Sequence, residues 1–256
     1  MTQSLLVRIA GFPAALIHGD TLVLDRWFWL RALLPRVKDS STTLLDVGCG
    51  TGAFTIGAAL RGYSSLGLSW DERNQRVAGE RAAICRASNA RFEVCDVRNL
   101  DQRPDLSNHF DVIVCCENIE HIIDDRKLVR DMARCLKDKG ILLLTTPNIG
   151  FKAMYGDTEG PYPTVETGEH VRRGYSEAGL RDLCAQAGLD VHEVGFVSGF
   201  FSQMITSLMK RLAKTHRLLA WAVVFPLRIF PPLLDPWLSP LFGWPCYCIT
   251  LIAAKR

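Results

Sequence analysis

The sequence predicts an α/β fold: a mainly parallel sheet with helices on both faces, an N-terminal helical cap, and a C-terminal helical insert before the last strand. Three observations predict it. Apolar runs of strand length alternate with stretches of helical periodicity between residues 43 and 198. The first of these runs ends in a turn with glycines at alternate positions, Asp46-Val47-Gly48-Cys49-Gly50-Thr51-Gly52, and a helical pattern follows at once. The 256 residues, 48% apolar and 22% charged, suffice for one such core with additions.

Residues 5–17 are apolar but interrupted by Arg8, Gly11 and Pro13. They lack the layout of a signal peptide and read as part of the fold. Apolar residues at helical spacing predict a helix over 21–34, ended by Pro35 and the polar run Lys38-Asp39-Ser40-Ser41. Residues 1–40 are therefore expected to form a helical cap. Strands are predicted over 43–47, 64–69, 91–95, 110–116, 140–146 and 190–198, with helices over 53–61, 72–88, 124–138 and 176–187 between them. A loop rich in Gly and Pro spans 147–168, and a last strand runs from Cys246 to Ala254. The core is thus expected at 41–198 with 246–256, and 199–245 as an apolar helical insert serving as the crossover to the last strand.

The net charge of +3 is too small to argue for nucleic acid, and no DNA partner is expected. The charge is uneven: from 200 to 256 there are seven basic residues and one acid, Asp235. Nine cysteines, an odd number without a C-x-x-C pair, sit mostly in apolar strand patterns. That usage predicts reduced, buried thiols and a cytoplasmic location.

Two motifs carry chemistry. In the glycine turn, missing Cβ atoms let a ligand press against the backbone, and the next helix begins with free N–H groups. A nucleotide-like cofactor suits that geometry. An NAD fingerprint would need G-x-G-x-x-G, but here the third glycine comes too early; a P-loop would need G-K-[ST], which is absent. The second motif, Glu117-Asn118-Ile119-Glu120-His121, directly follows a strand, where α/β folds bind ligands. On a helical turn, positions 117, 120 and 121 would share one face and cluster two carboxylates with an imidazole.

The glycine turn, Phe110-Asp111-Val112-Ile113-Val114, Leu136-Lys137-Asp138-Lys139-Gly140 and Thr145-Thr146-Pro147-Asn148 together resemble the S-adenosylmethionine (SAM)-dependent methyltransferases of Rossmann-like type, over roughly 40–200 plus the last strand. The resemblance implies SAM as cofactor, with Asp46, Gly48, Cys49, Gly50 and Gly52 along its methionine part. It implies Asp96 at the adenine amino group, with Val97 and Glu117 completing the set. Family members usually place an acid after the second strand to bind the ribose hydroxyls. Here Ser69 stands at that position, so Asp71 is expected to reach the ribose from the loop and Trp70 to pack beside the adenine. Asp46→Ala is expected to abolish cofactor binding and Asp71→Ala to weaken it.

E-x-x-E-H at this place resembles the ubiquinone-biosynthesis O-methyltransferases and the small-RNA 2′-O-methyltransferases. The resemblance implies a divalent metal (Mg, Mn or Zn) held by Glu117, Glu120, His121 and His170, with His121, Glu120 and His170 as catalytic residues. The alternative is that Glu120 and His121 only shape the cofactor pocket. The expected activity is methyl transfer to a hydroxyl of a small or lipid-linked acceptor, a quinone precursor or a sugar. An RNA 2′-O-methyltransferase and a non-catalytic SAM-binding partner subunit are the alternatives. The insert at 199–245 is apolar with basic residues and three tryptophans, but Pro226, Arg228 and Pro231-Pro232 interrupt it. It is expected to be a lid or a membrane-facing element, with a homodimer contact as the competing use.

Overall fold

The computed structural model describes residues 5–17, 20–38, 41–154 and 160–256; His18-Gly19, expected in the cap, and Asp39-Ser40, expected to end its helix, lie outside them. Three helices open the chain: α1 (Leu5–Ala10), α2 (Phe12–Ile17) and α3 (Val23–Leu33). The alternating core follows as β1 (Thr43–Val47), α4 (Ala53–Ala59), β2 (Ser64–Ser69), α5 (Glu72–Ile84), β3 (Ala90–Val94), β4 (Phe110–Cys116), α6 (Asp125–Cys135), β5 (Leu136–Pro147), α7 (Glu177–Gln186) and β6 (Leu189–Val197). Then come α8 (Phe200–Thr215), α9 (Arg217–Leu227), α10 (Pro231–Leu238) and β7 (Cys248–Lys255).

The seven strands form one sheet in the order β3-β2-β1-β4-β5-β7-β6. β1 pairs in parallel with β2 and β4, and β7 runs antiparallel to both β5 and β6. The insert connects β6 to the last strand, as expected, and that strand is antiparallel. It links two antiparallel neighbours, a connection that a short hairpin would satisfy. Its forty-odd residues are an addition to the fold rather than a topological necessity.

Strand alternation builds two cores. Leu45, Val47, Ile113, Cys115, Leu142 and Leu144 face α6 and α7, while Leu44, Val112, Val114 and Leu143 pack beneath α3 with Trp27 and Leu30. Because β1, β4 and β5 are covered on both sides, they read as unbroken apolar runs. Helix ends are set by local hydrogen bonding. Asp124 accepts from Lys127 N at 3.0 Å to start α6, and Ser176 accepts from Gly179 N to start α7. α5 stops at Ile84, short of the predicted 88, where Arg86 turns left-handed with φ +56°. None of the nine cysteines is bonded to another.

Candidate active site

The carboxyl ends of β1, β2 and β4 open onto a cavity of about 410 Å³. The turn after β1 forms its floor. Gly48 has φ +81°, and a Cβ there would lie 2.5 Å from Asn118 Cγ; its N–H and that of Cys49 donate to Leu68 O at 3.0 and 2.9 Å. Gly52 caps α4 in the left-handed region, where a Cβ would lie 2.6 Å from the Phe92 ring. Both glycines are dictated by conformation and by space.

The cofactor candidates divide by what they touch. Gly48, Gly50, Ser69, Trp70, Asp96, Val97 and Glu117 line this cavity. Asp46, Cys49 and Gly52 sit behind it. Asp46 is fully buried and its Oδ2 accepts from Thr55 Oγ1 at 2.7 Å and Thr55 N at 3.1 Å, tying the start of α4 to the end of β1. Burial raises its carboxyl to about 6. The buried Cys49 thiol lies against Gln75, and desolvation pushes it up.

Asp71 departs from expectation. Its Oδ1 accepts from Arg73 N at 2.8 Å and Asn74 N at 3.1 Å, capping α5, and it does not line the cavity; Asn74 does. An acid at the mouth of a helix meets the helix's own free N–H groups, and here they take Oδ1 of Asp71. Asp96 lines the cavity while paired with Arg98, whose Nε lies 2.9 Å from both carboxylate oxygens and holds the acid below its usual range. Arg98 also reaches Glu166, which lines the same cavity.

A second cavity of about 390 Å³ adjoins the first, sharing Glu117 and His121 with it. Its walls come from distant segments: Leu22 and Arg26, Phe151 to Met154, Gln203 to Lys210, and Tyr247. Between the cavities lies the acidic-histidine motif, in a form the sequence did not give. Glu117 itself is left-handed at φ +50°, and only a single 3-10 turn follows, Ile119–His121. The one-face rule of an α-helix does not apply to this geometry.

Glu117 has partners of its own. It accepts from Thr145 Oγ1 at 3.1 Å, and Arg26 Nη1 lies 3.4 Å from its Oε2. Arg26 is buried between Glu117 and Asp20. Glu117 falls outside the group of donor atoms that converge. The other three candidates converge. Glu120 Oε1 lies 3.8 Å from His121 Nε2 and 3.9 Å from His170 Nε2, and one donor atom from each residue falls within 4.8 Å of the others.

Glu120 is wholly buried; its Oε2 accepts from Thr146 Oγ1 at 3.0 Å, while Oε1 has no hydrogen-bond partner. Burial, then the nearby Glu117 carboxylate, pushes Glu120 well above the ordinary carboxyl range. Burial, then His121, lowers His170 to about 4, so its imidazole is neutral at neutral pH. His170 is delivered by the loop before α7, which Val171 N pins to Glu120 O at 2.9 Å. An orphaned buried carboxylate oxygen facing two imidazole nitrogens is a donor set that fits a divalent cation.

Arg26 was not among the site residues the sequence suggested, although Asp25-Arg26 inside an otherwise apolar stretch of helical spacing was a signal. Glu166 and Tyr247 lie in stretches without diagnostic spacing and gave none.

A family model described as a methyltransferase domain matches residues 24–194. Among relatives, a ubiquinone biosynthesis O-methyltransferase of Neisseria meningitidis serogroup C is 31% identical over 153 residues, 58% of this chain and 63% of that protein, less than two thirds of its length. One of the same description from Marinobacter nauticus is 28% identical over 183 residues, covering 68% and 74%. A solved structure of a putative SAM-dependent methyltransferase from Listeria monocytogenes superposes with a TM-score of 0.59 at 16% identity, covering 91% of this chain and 99% of that one. The [4+2]-cyclase SpnF gives 0.60 at 20% identity, covering 91% and 82%. At such identities the structures testify to the fold alone, and the cyclase illustrates that one fold hosts several reactions.

Proposed function

The chain belongs to the SAM-dependent methyltransferases of Rossmann-like type, and we propose that it transfers a methyl group to a hydroxyl of a small or lipid-linked acceptor of quinone type. Membership implies SAM as the methyl donor. The observation that carries the reading is the junction: the glycine-floored cavity and the mixed polar and apolar cavity meet at Glu117 and His121. Donor and acceptor held in two adjoining chambers are positioned for in-line transfer, and fixing two reactants in that way is a large part of such catalysis.

The residues fit the donor. Gly48 and Gly50 line the floor without side chains, and Ser69, Asn74 and Asp96 offer polar groups along the wall. In the other chamber, Leu22, Phe151, Met154 and Tyr247 supply apolar surface, with Arg26, Gln203 and Lys210 as polar guides. Its volume suits a single ring rather than a polymer.

Glu120, His121 and His170 would hold a divalent ion. SAM supplies an electrophilic methyl group, and a metal lowers the pKa of a hydroxyl placed beside it. The chain's own part is to orient the acceptor, keep His170 neutral through burial, and exclude water with the loop that Val171 anchors. The names of the two relatives, both ubiquinone biosynthesis O-methyltransferases, support oxygen as the accepting atom.

The test is transfer of labelled methyl from SAM into cell extract split into lipid, polysaccharide and RNA fractions. Label is expected in a lipid-soluble ether that resists mild alkali. Activity is expected to fall at least tenfold with chelator or with Glu120→Gln, and chelated wild type to recover on adding Mg²⁺, Mn²⁺ or Zn²⁺. Label confined to RNA would overturn the acceptor; full activity in chelator would overturn the metal.

A further inference from the structure

The insert has inverted polarity. Its buried charged groups are those that fasten it to the core. Arg228 is buried, donates to Ile17 O at 2.7 Å and to Asp20 O, and lies over the Trp221 ring. Asp235, the only acid of the segment, is buried and accepts from Phe201 N and Ser202 N at the start of α8. The outward face is apolar instead: Leu218, Ile229, Phe230, Leu233, Trp237 and Leu241 are all at least half exposed, Trp237 at 79% and Leu241 at 78%. So many large apolar side chains exposed along one short segment are unusual on a surface without a partner.

Charge flanks this face on two sides. Along α8, Lys210, Arg211 and Lys214 are exposed. On the other side, Ile229 also lines a groove of about 530 Å³ between the N-terminal helices and α9, where Arg31, Arg36 and Arg61 stand together with Phe12, Phe28 and Leu60. Arg61 feels both other arginines: desolvation, then Arg31 and Arg36, lower it. Its Nε donates to Leu34 O, and no carboxylate pairs with any of the three among the described residues. Three unneutralised guanidiniums beside an apolar groove ask for an anion at the edge of a nonpolar phase.

We propose that the α9–α10 face docks on a membrane carrying anionic lipids, its apolar residues entering the interface and the arginine group meeting lipid phosphates. No single helix among the described residues is long and apolar enough to cross a membrane. α9 has 11 residues, about 16 Å, and only the bent pair Leu218–Leu227 with Pro231–Phe242, at 57°, has the length and composition of a span; with Arg228 buried at the bend, the pair suits a position in the interface. A second copy of the chain fits this face less well. An isologous contact through it would bring basic flanks together with no exposed acid in the insert to offset them. A further groove of about 490 Å³, lined by Met204, Leu208 and Phe230, shares Met154 and Ser207 with the acceptor chamber. On the methyl-transfer reading, docking therefore sets the route to that chamber against the acyl layer; the docking itself does not depend on that reading.

The test is co-sedimentation of the full chain, without acceptor, with vesicles of phosphatidylcholine alone or mixed with phosphatidylglycerol. Binding is expected to the mixed vesicles and much less to phosphatidylcholine. Trp237→Glu with Leu241→Glu should weaken it tenfold or more, and Arg31→Glu with Arg36→Glu roughly tenfold. Circular dichroism and titration with S-adenosylhomocysteine check that each variant is folded, and that titration tests the cofactor reading separately. Wild type left in the supernatant with mixed vesicles would overturn the proposal. So would variants that bind like wild type, or a dimer by light scattering that Trp237→Glu with Leu241→Glu converts to monomer.

Discussion

Asp46 is the acid of the glycine turn, yet what it holds is Thr55. Both hydrogen bonds fall on one oxygen, so an amide reproduces them. Its folded pKa of about 6 lies above the unfolded value of about 3.9, so between those pH values the folded chain binds more protons than the unfolded one. Stability contributed by this group is present at low pH and is lost as pH rises through about 6. Asp25, buried beside Ser198 and also raised to about 6, adds to the same loss. Asp46→Asn is therefore expected to raise the melting temperature at pH 7.5, by at most about 3 kcal/mol of stability, and to flatten the decline between pH 4 and 6. Asp46→Ala releases Thr55 and is expected to cost both stability and cofactor binding. Melting curves from pH 4 to 8 decide it: parallel profiles for wild type and Asp46→Asn would remove the account.

Arg26 poses the complementary case, a buried cation between Asp20 and Glu117. Arg26→Ala takes the counter-charge from the half-buried Glu117 and is expected to cost about 1–3 kcal/mol in denaturant unfolding. Adding Glu117→Gln should recover much of that loss. The glycine turn was legible because Gly48 and Gly52 need both positive φ and bare space. The roles of Glu117 and Asp71 were not. Each depends on which neighbour its carboxylate finds first, and those neighbours are Arg26, 91 positions away, and the α5 amides.

At the scale of elements, strands over 43–47, 64–69 and 110–116 match the predicted bounds, since sheet burial leaves apolar runs with sharp polar or glycine ends. Helix ends and the Glu117–His121 turn were harder, because a left-handed residue such as Arg86 or Glu117 leaves no periodic trace. The direction of β7 was equally hidden: alternation identifies a strand but not the neighbour it joins. One capping contact bears directly on the insert. Gly199 gives α8 no side-chain cap, and Asp235 of α10 supplies it from outside. Asp235→Ala is expected to cost about 1–2 kcal/mol and to speed amide exchange over 200–215, leaving the sheet unaffected. Unchanged exchange in α8 would show that its start is held otherwise.

For the whole molecule, the parallel half of the sheet presents its strand ends to the cofactor cavity, while the cap, the loop after β5 and the insert together wall the neighbouring chamber. That division explains why the methyl donor could be read from a few contiguous residues and the acceptor could not. The chamber proposed for the acceptor is assembled from segments nearly 230 positions apart, from Asp20 to Tyr247. The central claim is that donor and acceptor meet at Glu117 and His121. A crystal structure with S-adenosylhomocysteine tests it most directly. The sulfur is expected at the junction of the two cavities, with the adenine toward Asp96 and Val97; a sulfur directed away from Glu117 and His121 would refute the shared junction.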